Sequence, residues 1–278
     1  MERAVIVSGA SSGIGAAAVQ LLAGRGFVVF AGVRSEADAQ RSRAVHANVS
    51  PVLLDVTDPQ TIARAIEAVK ARGVALVGVV SNAGIALGGP LERFPIDELR
   101  RQFEVNVFGA LALAQAALPL VPRRQGRIVF VGSIAGRLPT PYIGPYSASK
   151  FALRALADAL RVELAPDGIA VSLIEPGSVK TPIWKKGREA RGELFARLGP
   201  DARPHYAPAL ERLLEATRSE ERTGLPVEVV SEAILHALTS AKPRASYLLG
   251  APARMGSVVA MLPAGTRSRF LRAVMKLP

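Results

Sequence analysis

Along the first 250 residues, short apolar runs alternate with longer stretches whose apolar positions recur every three to four residues. Residues 4–8 read as a strand ended by Gly9, and 13–25 as a helix stopped by Gly24 and Gly26. Phe27 to Val33 and Pro51 to Asp55 read as further strands. Thr57-Asp58-Pro59 supplies a cap and a first-turn proline for a helix running to about Arg72. Strands follow at 76–81, 127–132, 169–174 and 245–249, and helices at 97–121, 144–164 and 227–240. The strands are nearly continuously apolar, as in sheets covered by helices on both faces. This order predicts an α/β fold with a doubly wound parallel sheet, in a single domain spanning residues 1–278.

The rhythm breaks in two places. Residues 178–225 are rich in Pro, Gly, Arg and Glu, with broken helical patches and no clear strand. Such a length reads as a substrate-loop insertion, a pocket wall rather than a plain connection. Residues 251–278 form a basic, partly apolar tail.

Composition narrows the function classes. Hydrophobic residues at 49% and charged residues at 21% describe a folded globular chain. The absence of cysteine excludes a disulfide framework, a thiol nucleophile and a zinc–thiolate site, and no metal site is expected. Thirty-five Lys and Arg against 23 Asp and Glu give a net charge of +12. No run of five like charges occurs, so most of this charge reads as solvated surface, and no motif supports nucleic-acid binding. Met1-Glu2-Arg3 runs straight into residues 4–8, too short a core for a signal peptide, and no apolar stretch approaches the roughly 18–20 residues that span a bilayer. The expectation is a soluble, cytoplasmic protein. The Asn48-Val49-Ser50 sequon carries no meaning in that setting.

The first strand ends in Ser8-Gly9-Ala10-Ser11-Ser12-Gly13-Ile14-Gly15. Glycines at a strand-to-helix turn let the backbone approach a pyrophosphate at the helix N-terminus. Gly9, Ser11, Ser12, Gly13, Ile14 and Gly15 are therefore candidate dinucleotide contacts, and the sheet reads as Rossmann-type. The second strand ends in Gly32-Val33-Arg34-Ser35, with no carboxylate to bind ribose hydroxyls. Arg34 suits a 2′-phosphate, which favours NADP(H) while leaving NAD(H) open. In Tyr146-Ser147-Ala148-Ser149-Lys150, a four-residue spacing puts Tyr146 and Lys150 on one helix face. An ammonium there is expected to lower the Tyr pKa and make Tyr146 a general acid/base for hydroxyl–carbonyl interconversion. Ser133 follows the fifth strand at its carboxyl end, and Asn106 is an amide in an otherwise apolar helical stretch.

In these features the chain resembles the short-chain dehydrogenase/reductase family over about residues 3–250. The glycine motif matches Gly9, Gly13 and Gly15, the family's Asn-Ala-Gly matches Asn82-Ala83-Gly84, its tetrad matches Asn106, Ser133, Tyr146 and Lys150, and its Pro-Gly matches Pro176-Gly177. The resemblance implies that Asp55 and Val56 meet the adenine and that Asn82-Ala83-Gly84 lines the adenosine ribose. It implies that Lys150 binds the nicotinamide ribose, that Val179 and Thr181 fix the carboxamide and phosphate, and that Asn106 holds a water linking Lys150 to solvent. Ser133 would orient the substrate oxygen while Tyr146 passes the proton. Ser8 replaces the family's usual Thr, and the chain lacks the Asp-Gly-Gly ending of acyl-carrier-protein reductases. The long insertion and tail look like the steroid- and retinol-dehydrogenase-like members. They imply a small to medium apolar alcohol or ketone that is steroid-, retinoid- or lipid-like. The alternatives are a non-catalytic dinucleotide sensor and an acyl-thioester ketoreductase. Family pairing through the helices at 97–121 and 144–164 implies a homodimer or homotetramer. In the tail, residues 254–276 mix Val258, Val259, Met261, Leu262, Phe270 and Leu271 with Arg267, Arg269, Arg272 and Lys276. Pro263 and Gly265 interrupt this stretch. Packing over the pocket or at a subunit contact is the expectation, with membrane association the alternative.

Overall fold

Seven parallel strands form one sheet in the order β3-β2-β1-β4-β5-β6-β7. The computed structural model describes residues 2–196 and 203–275, and only part of the side chains in the helices between 184 and 221. The first half runs β1 (Arg3–Val7), α1 (Gly13–Gly24), β2 (Val28–Val33), α2 (Glu36–Arg43), β3 (Val49–Leu53), α3 (Pro59–Arg72) and β4 (Ala75–Ser81). Then come α4 (Ile96–Phe103), a π turn (Glu104–Phe108), α5 (Gly109–Ala117), β5 (Arg127–Val131), α6 (Gly144–Glu163) and β6 (Ala170–Pro176). Beyond β6 lie α7 (Ile183–Ala196), α8 (Arg203–Thr223), α9 (Val227–Thr239), β7 (Ser246–Leu249), α10 (Ala251–Ala260) and α11 (Ala264–Val274).

Both sheet faces are covered, as the continuous apolar strands require. On one face α1 and α9 bury Val19, Leu22, Ile234 and Leu238 over Val5, Val7 and Val29. On the other, α3, α5 and α6 bury Ile62, Leu113 and Leu153 over Ile6, Phe30 and Phe130. The order reverses direction between β1 and β4, the place where ligands bind at the carboxyl ends of such sheets.

Several boundaries differ from expectation. The third strand begins two residues early, so Pro51 lies inside it; β3 is an edge strand, where a missing N–H costs no ladder bond. Helix α2 was not expected; Ser35 caps it by accepting from the Asp38 amide at 3.1 Å. The stretch 178–225 is mostly two helices rather than loop, with 197–202 outside the described residues. Its base is closed by a parallel bridge between Val179 and Leu225, so it leaves and rejoins the sheet edge at one place. The tail is helical on both sides of a break at Pro263, which caps α11; Lys276 lies outside the described residues. The expectation of no bilayer-length apolar stretch is also corrected. The helical run Ile96–Leu120 is long and apolar enough by length and composition. Its inner face, with Ala110, Leu113, Ala114 and Ala117, lies buried against the sheet.

Candidate functional site

At the end of β1 the backbone is locked into a shape that side chains would block. Gly9 and Gly13 have φ of +63° and +56°. A Cβ on Gly9 would come within 2.8 Å of the Ala83 Cα, and one on Gly15 within 2.2 Å of the Gly9 carbonyl oxygen. The Ser8 hydroxyl accepts from the amides of Asn82 and Ala83, both at 3.0 Å. Asn82 Nδ2 donates back to the carbonyls of Ser8 at 3.0 Å and Gly9 at 3.2 Å. The glycine turn and the Asn-Ala-Gly loop are thus stapled into one unit, and a serine hydroxyl suffices for the staple.

This unit forms the floor of a cleft of about 500 Å³. Gly9, Ser11, Ser12, Gly13 and Ile14 line it from the first turn, and Asn82, Ala83 and Gly84 from the second. Gly15 does not line it; it packs beneath the turn against the Gly9 carbonyl. Ser12 precedes α1 without its side chain capping the helix, so it does not occupy the first-turn N–H groups, which suit a pyrophosphate. Arg34, Asp55 and Val56 line the cleft from the turns after β2 and β3, and Val179 and Thr181 from the loop after β6. Arg34 is exposed. Burial pushes the Asp55 carboxyl up, but hydrogen bonds from Thr57 and the charge of Arg34 bring it below its ordinary value overall. A backbone cradle held open by glycines that no Cβ could replace without collision, with a guanidinium at one end, fits a nicotinamide dinucleotide.

The other end of the cleft carries Ser133, Tyr146 and Lys150. The fifth strand delivers Ser133, whose Oγ accepts from the Ala135 amide at 3.1 Å. Tyr146 and Lys150 stand one turn apart near the start of α6, and both are buried. Lys150 Nζ donates to the Val131 carbonyl at 2.8 Å and lies 5.7 Å from the centre of the Tyr146 ring. The expected lowering of the Tyr146 pKa is not what the structure gives. Burial pushes the phenol up to about 12, with a hydrogen bond from Ser133 pulling the other way. Burial also pushes the Lys150 ammonium down to about 8. At Tyr146, desolvation therefore outweighs the hydrogen bond from Ser133.

Asn106 is fully buried behind the cleft rather than in its wall, within the π turn. Its Oδ1 accepts from the Ile85 amide and its Nδ2 donates to the Ile85 carbonyl and to Ser149 Oγ, all at 2.9 Å. A Cβ on Gly84 would sit 3.3 Å from this Oδ1 and 3.8 Å from Lys150 Nζ. Gln102, one turn earlier, accepts from the Leu87 amide at 2.6 Å. Two amides therefore pin the loop after β4 to the helix, and only Asn106 was picked out by sequence. Arg101, Glu104 and Val105, also cleft-lining, escaped notice because nothing marks them locally.

A second cavity, also about 500 Å³, opens beyond Tyr146. Its walls are mainly apolar: Ile134, Ala135, Leu138 and Ile143 on the sheet side, Leu213 from α8, and Pro252, Val274 and Met275 from the tail. Arg212, Glu215 and Thr217 add polar groups from α8. Ser133, Tyr146 and Gly177 belong to both cavities, whereas Pro176 lines only the cleft. Tyr142 adopts φ +64°, rare for a bulky residue, and its ring meets Tyr206 of α8 edge-on at 6.5 Å. Tyr206 also hydrogen-bonds Glu92, seating α8 on the body. Glu175, at the end of β6, is buried against the guanidinium of Arg137 and the Ser246 hydroxyl. Arg137 follows the turn that carries Ser133, so this pair ties that turn to β6 and β7. The clamp was not expected from sequence, because its partners lie 38 and 71 positions apart.

Comparison with known proteins matches this geometry. The family model for short chain dehydrogenases matches residues 3–192. An NADPH-dependent 3-dehydrocapnine reductase from Ornithobacterium rhinotracheale is 37% identical, over 93% of this chain and 92% of the relative. The 11-beta-hydroxysteroid dehydrogenase type 2 of Oryctolagus cuniculus is 36% identical, over 99% of this chain and 71% of its own. The crystal structure of a Burkholderia phymatum short-chain dehydrogenase/reductase in complex with NAD has a TM-score of 0.76 and 25% identity, covering 100% of this chain and 96% of that one. The chain belongs to the short-chain dehydrogenase/reductase family: it is an oxidoreductase that uses a nicotinamide dinucleotide to interconvert hydroxyl and carbonyl groups on a small molecule.

Proposed function

We propose an NADP(H)-dependent reductase of apolar ketones, working reversibly on the corresponding alcohols, with Tyr146 as the proton donor and acceptor. One observation carries this reading: Ser133 and Tyr146 stand in the walls of both the dinucleotide cleft and the apolar cavity. A carbonyl held between their hydroxyls lies where the two compartments meet. The bound dinucleotide supplies the hydride in reduction and accepts it in oxidation.

The protein's own groups do the rest. Ser133 Oγ orients the substrate oxygen. Tyr146, whose phenol keeps its proton throughout the neutral range, gives that proton to the oxygen as it gains charge. The Lys150 ammonium favours the phenolate that results, and it is charged below about pH 8. Asn106 acts through its neighbours, holding the Ile85 loop and Ser149 in place behind Lys150. Arg34, exposed at the end of β2, favours the 2′-phosphate of NADP(H) through a charge-assisted fork. The mostly apolar walls and the cavity size favour a steroid-, retinoid- or lipid-like substrate. Phe108 and Phe151 are exposed on the helical runs at 97–121 and 144–164, which supports pairing of two copies there.

The test is a panel of aliphatic, polycyclic and polyene ketones assayed with NADPH and NADH. The reading expects apolar ketones to be reduced with NADPH preferred. Purified protein that binds NADPH yet reduces none of them would overturn it in favour of a dinucleotide sensor.

A further inference from the structure

The tail carries an exposed apolar surface, most of it outside both cavities. Among the described residues, most large exposed apolar side chains stand singly on separate elements. Five do not: Met255, Val258, Met261, Phe270 and Val274 fall within twenty residues on α10 and α11. On α10 the inward face is settled, because Ala253 is fully buried and Gly256 packs on Ile134. Arg254, Met255, Val258 and Met261 occupy the opposite stripe at helical spacing, and the three apolar ones are 69%, 60% and 76% exposed. α11 adds exposed Phe270 beside Arg269 and Arg272.

Charge decides the occupant. Residues 251–278 contain Arg254, Arg267, Arg269, Arg272 and Lys276, and no Asp or Glu. A second copy seated on this face by two-fold symmetry would bring the same guanidinium groups together, with no carboxylate in residues 251–278 of either copy. An anionic bilayer offers negative headgroups for Arg254 and Arg269 and a hydrocarbon boundary for Met255, Val258 and Met261.

We infer that α10 and α11 form a docking surface for anionic membranes, and that apolar substrate enters the cavity from the bilayer. Pro252, Gly256, Val274 and Met275 of the same two helices wall that cavity, so the docked face and the substrate chamber share one partition. The delivery of substrate rests on the function proposed above; docking itself does not.

The experiment is co-sedimentation of the full chain with vesicles, alongside reduction of a water-soluble ketone. With phosphatidylcholine vesicles containing about one-third phosphatidylglycerol, the parent should pellet. It should stay in the supernatant with phosphatidylcholine alone and be released by about 0.5 M NaCl. Arg254→Gln with Arg269→Gln, and separately Val258→Ser with Met261→Ser, should each weaken partitioning about tenfold or more. Both should keep the parent's turnover of the soluble ketone, since none of these side chains lines either cavity. A parent that remains in the supernatant with anionic vesicles, or variants that pellet like the parent, would overturn docking. So would a parent that does not pellet while Val258→Ser with Met261→Ser halves its mass in sedimentation velocity, which would assign the face to a second copy. Loss of ketone reduction in a parent that still pellets would instead count against the proposed reaction.

Discussion

The cleft floor at the carboxyl ends of β1 and β4 is made of backbone, and the cavity beyond Tyr146 is made of side chains. In the first, a Cβ on Gly9, Gly13 or Gly15 would collide with neighbouring protein atoms, and Ser8 and Asn82 staple two turns together. In the second, Leu213 arrives from α8 and Val274 and Met275 from the end of α11, both after β6. A backbone cradle admits one ligand shape and tolerates little change. A cavity walled by side chains keeps its chemistry while its shape is remade by substitution. The contrast explains how one scaffold keeps a single cofactor chemistry and varies the substrate.

The contrast breaks most visibly at Gly15. Gly15→Ala puts a methyl 2.2 Å from a backbone oxygen, so dinucleotide affinity should fall by more than about 100-fold, and the melting temperature with it. Calorimetry and NADPH titration read both. Next is Arg34→Ala, which should cut the NADPH over NADH preference in kcat/KM by about 10- to 100-fold while leaving the substrate KM unchanged. A variant that kept its preference would remove the 2′-phosphate role. Leu213→Trp tests the other half: KM for a polycyclic ketone should rise about tenfold, with NADPH affinity and a small ketone untouched. The pH profile is the gentlest probe. Lys150 is charged below about pH 8 and neutral above, so reductive kcat/KM should hold steady up to about pH 8 and decline beyond it. A profile that rose through this range would assign the titration to another group.

The same contrast governs what could be read from residues alone. Tyr146, Lys150, Ser133 and the glycine turn announce themselves through local spacing, because a turn or a helix face brings them together. Helix α2 was legible too, in the Ser35 cap, the acidic Glu36 and Asp38 and the closing Arg41 and Arg43, but it is polar and shows no apolar period. The cavity wall could not be read: Leu138 from the loop after β5, Leu213 from α8 and Met275 at the end of α11 come together only in the folded chain. The Glu175–Arg137 clamp is equally non-local. The direction of the Tyr146 pKa was not legible either, because spacing reveals the nearby ammonium but not the burial that pushes the phenol up.

The most direct measurement compares Tyr146→Phe with the parent for NADPH affinity and for single-turnover reduction of the best ketone. A buried phenol that donates the proton predicts NADPH binding within about twofold of the parent and a rate lower by about 10²–10⁴-fold. Reduction at the parent's rate, with NADPH bound equally well, would contradict it.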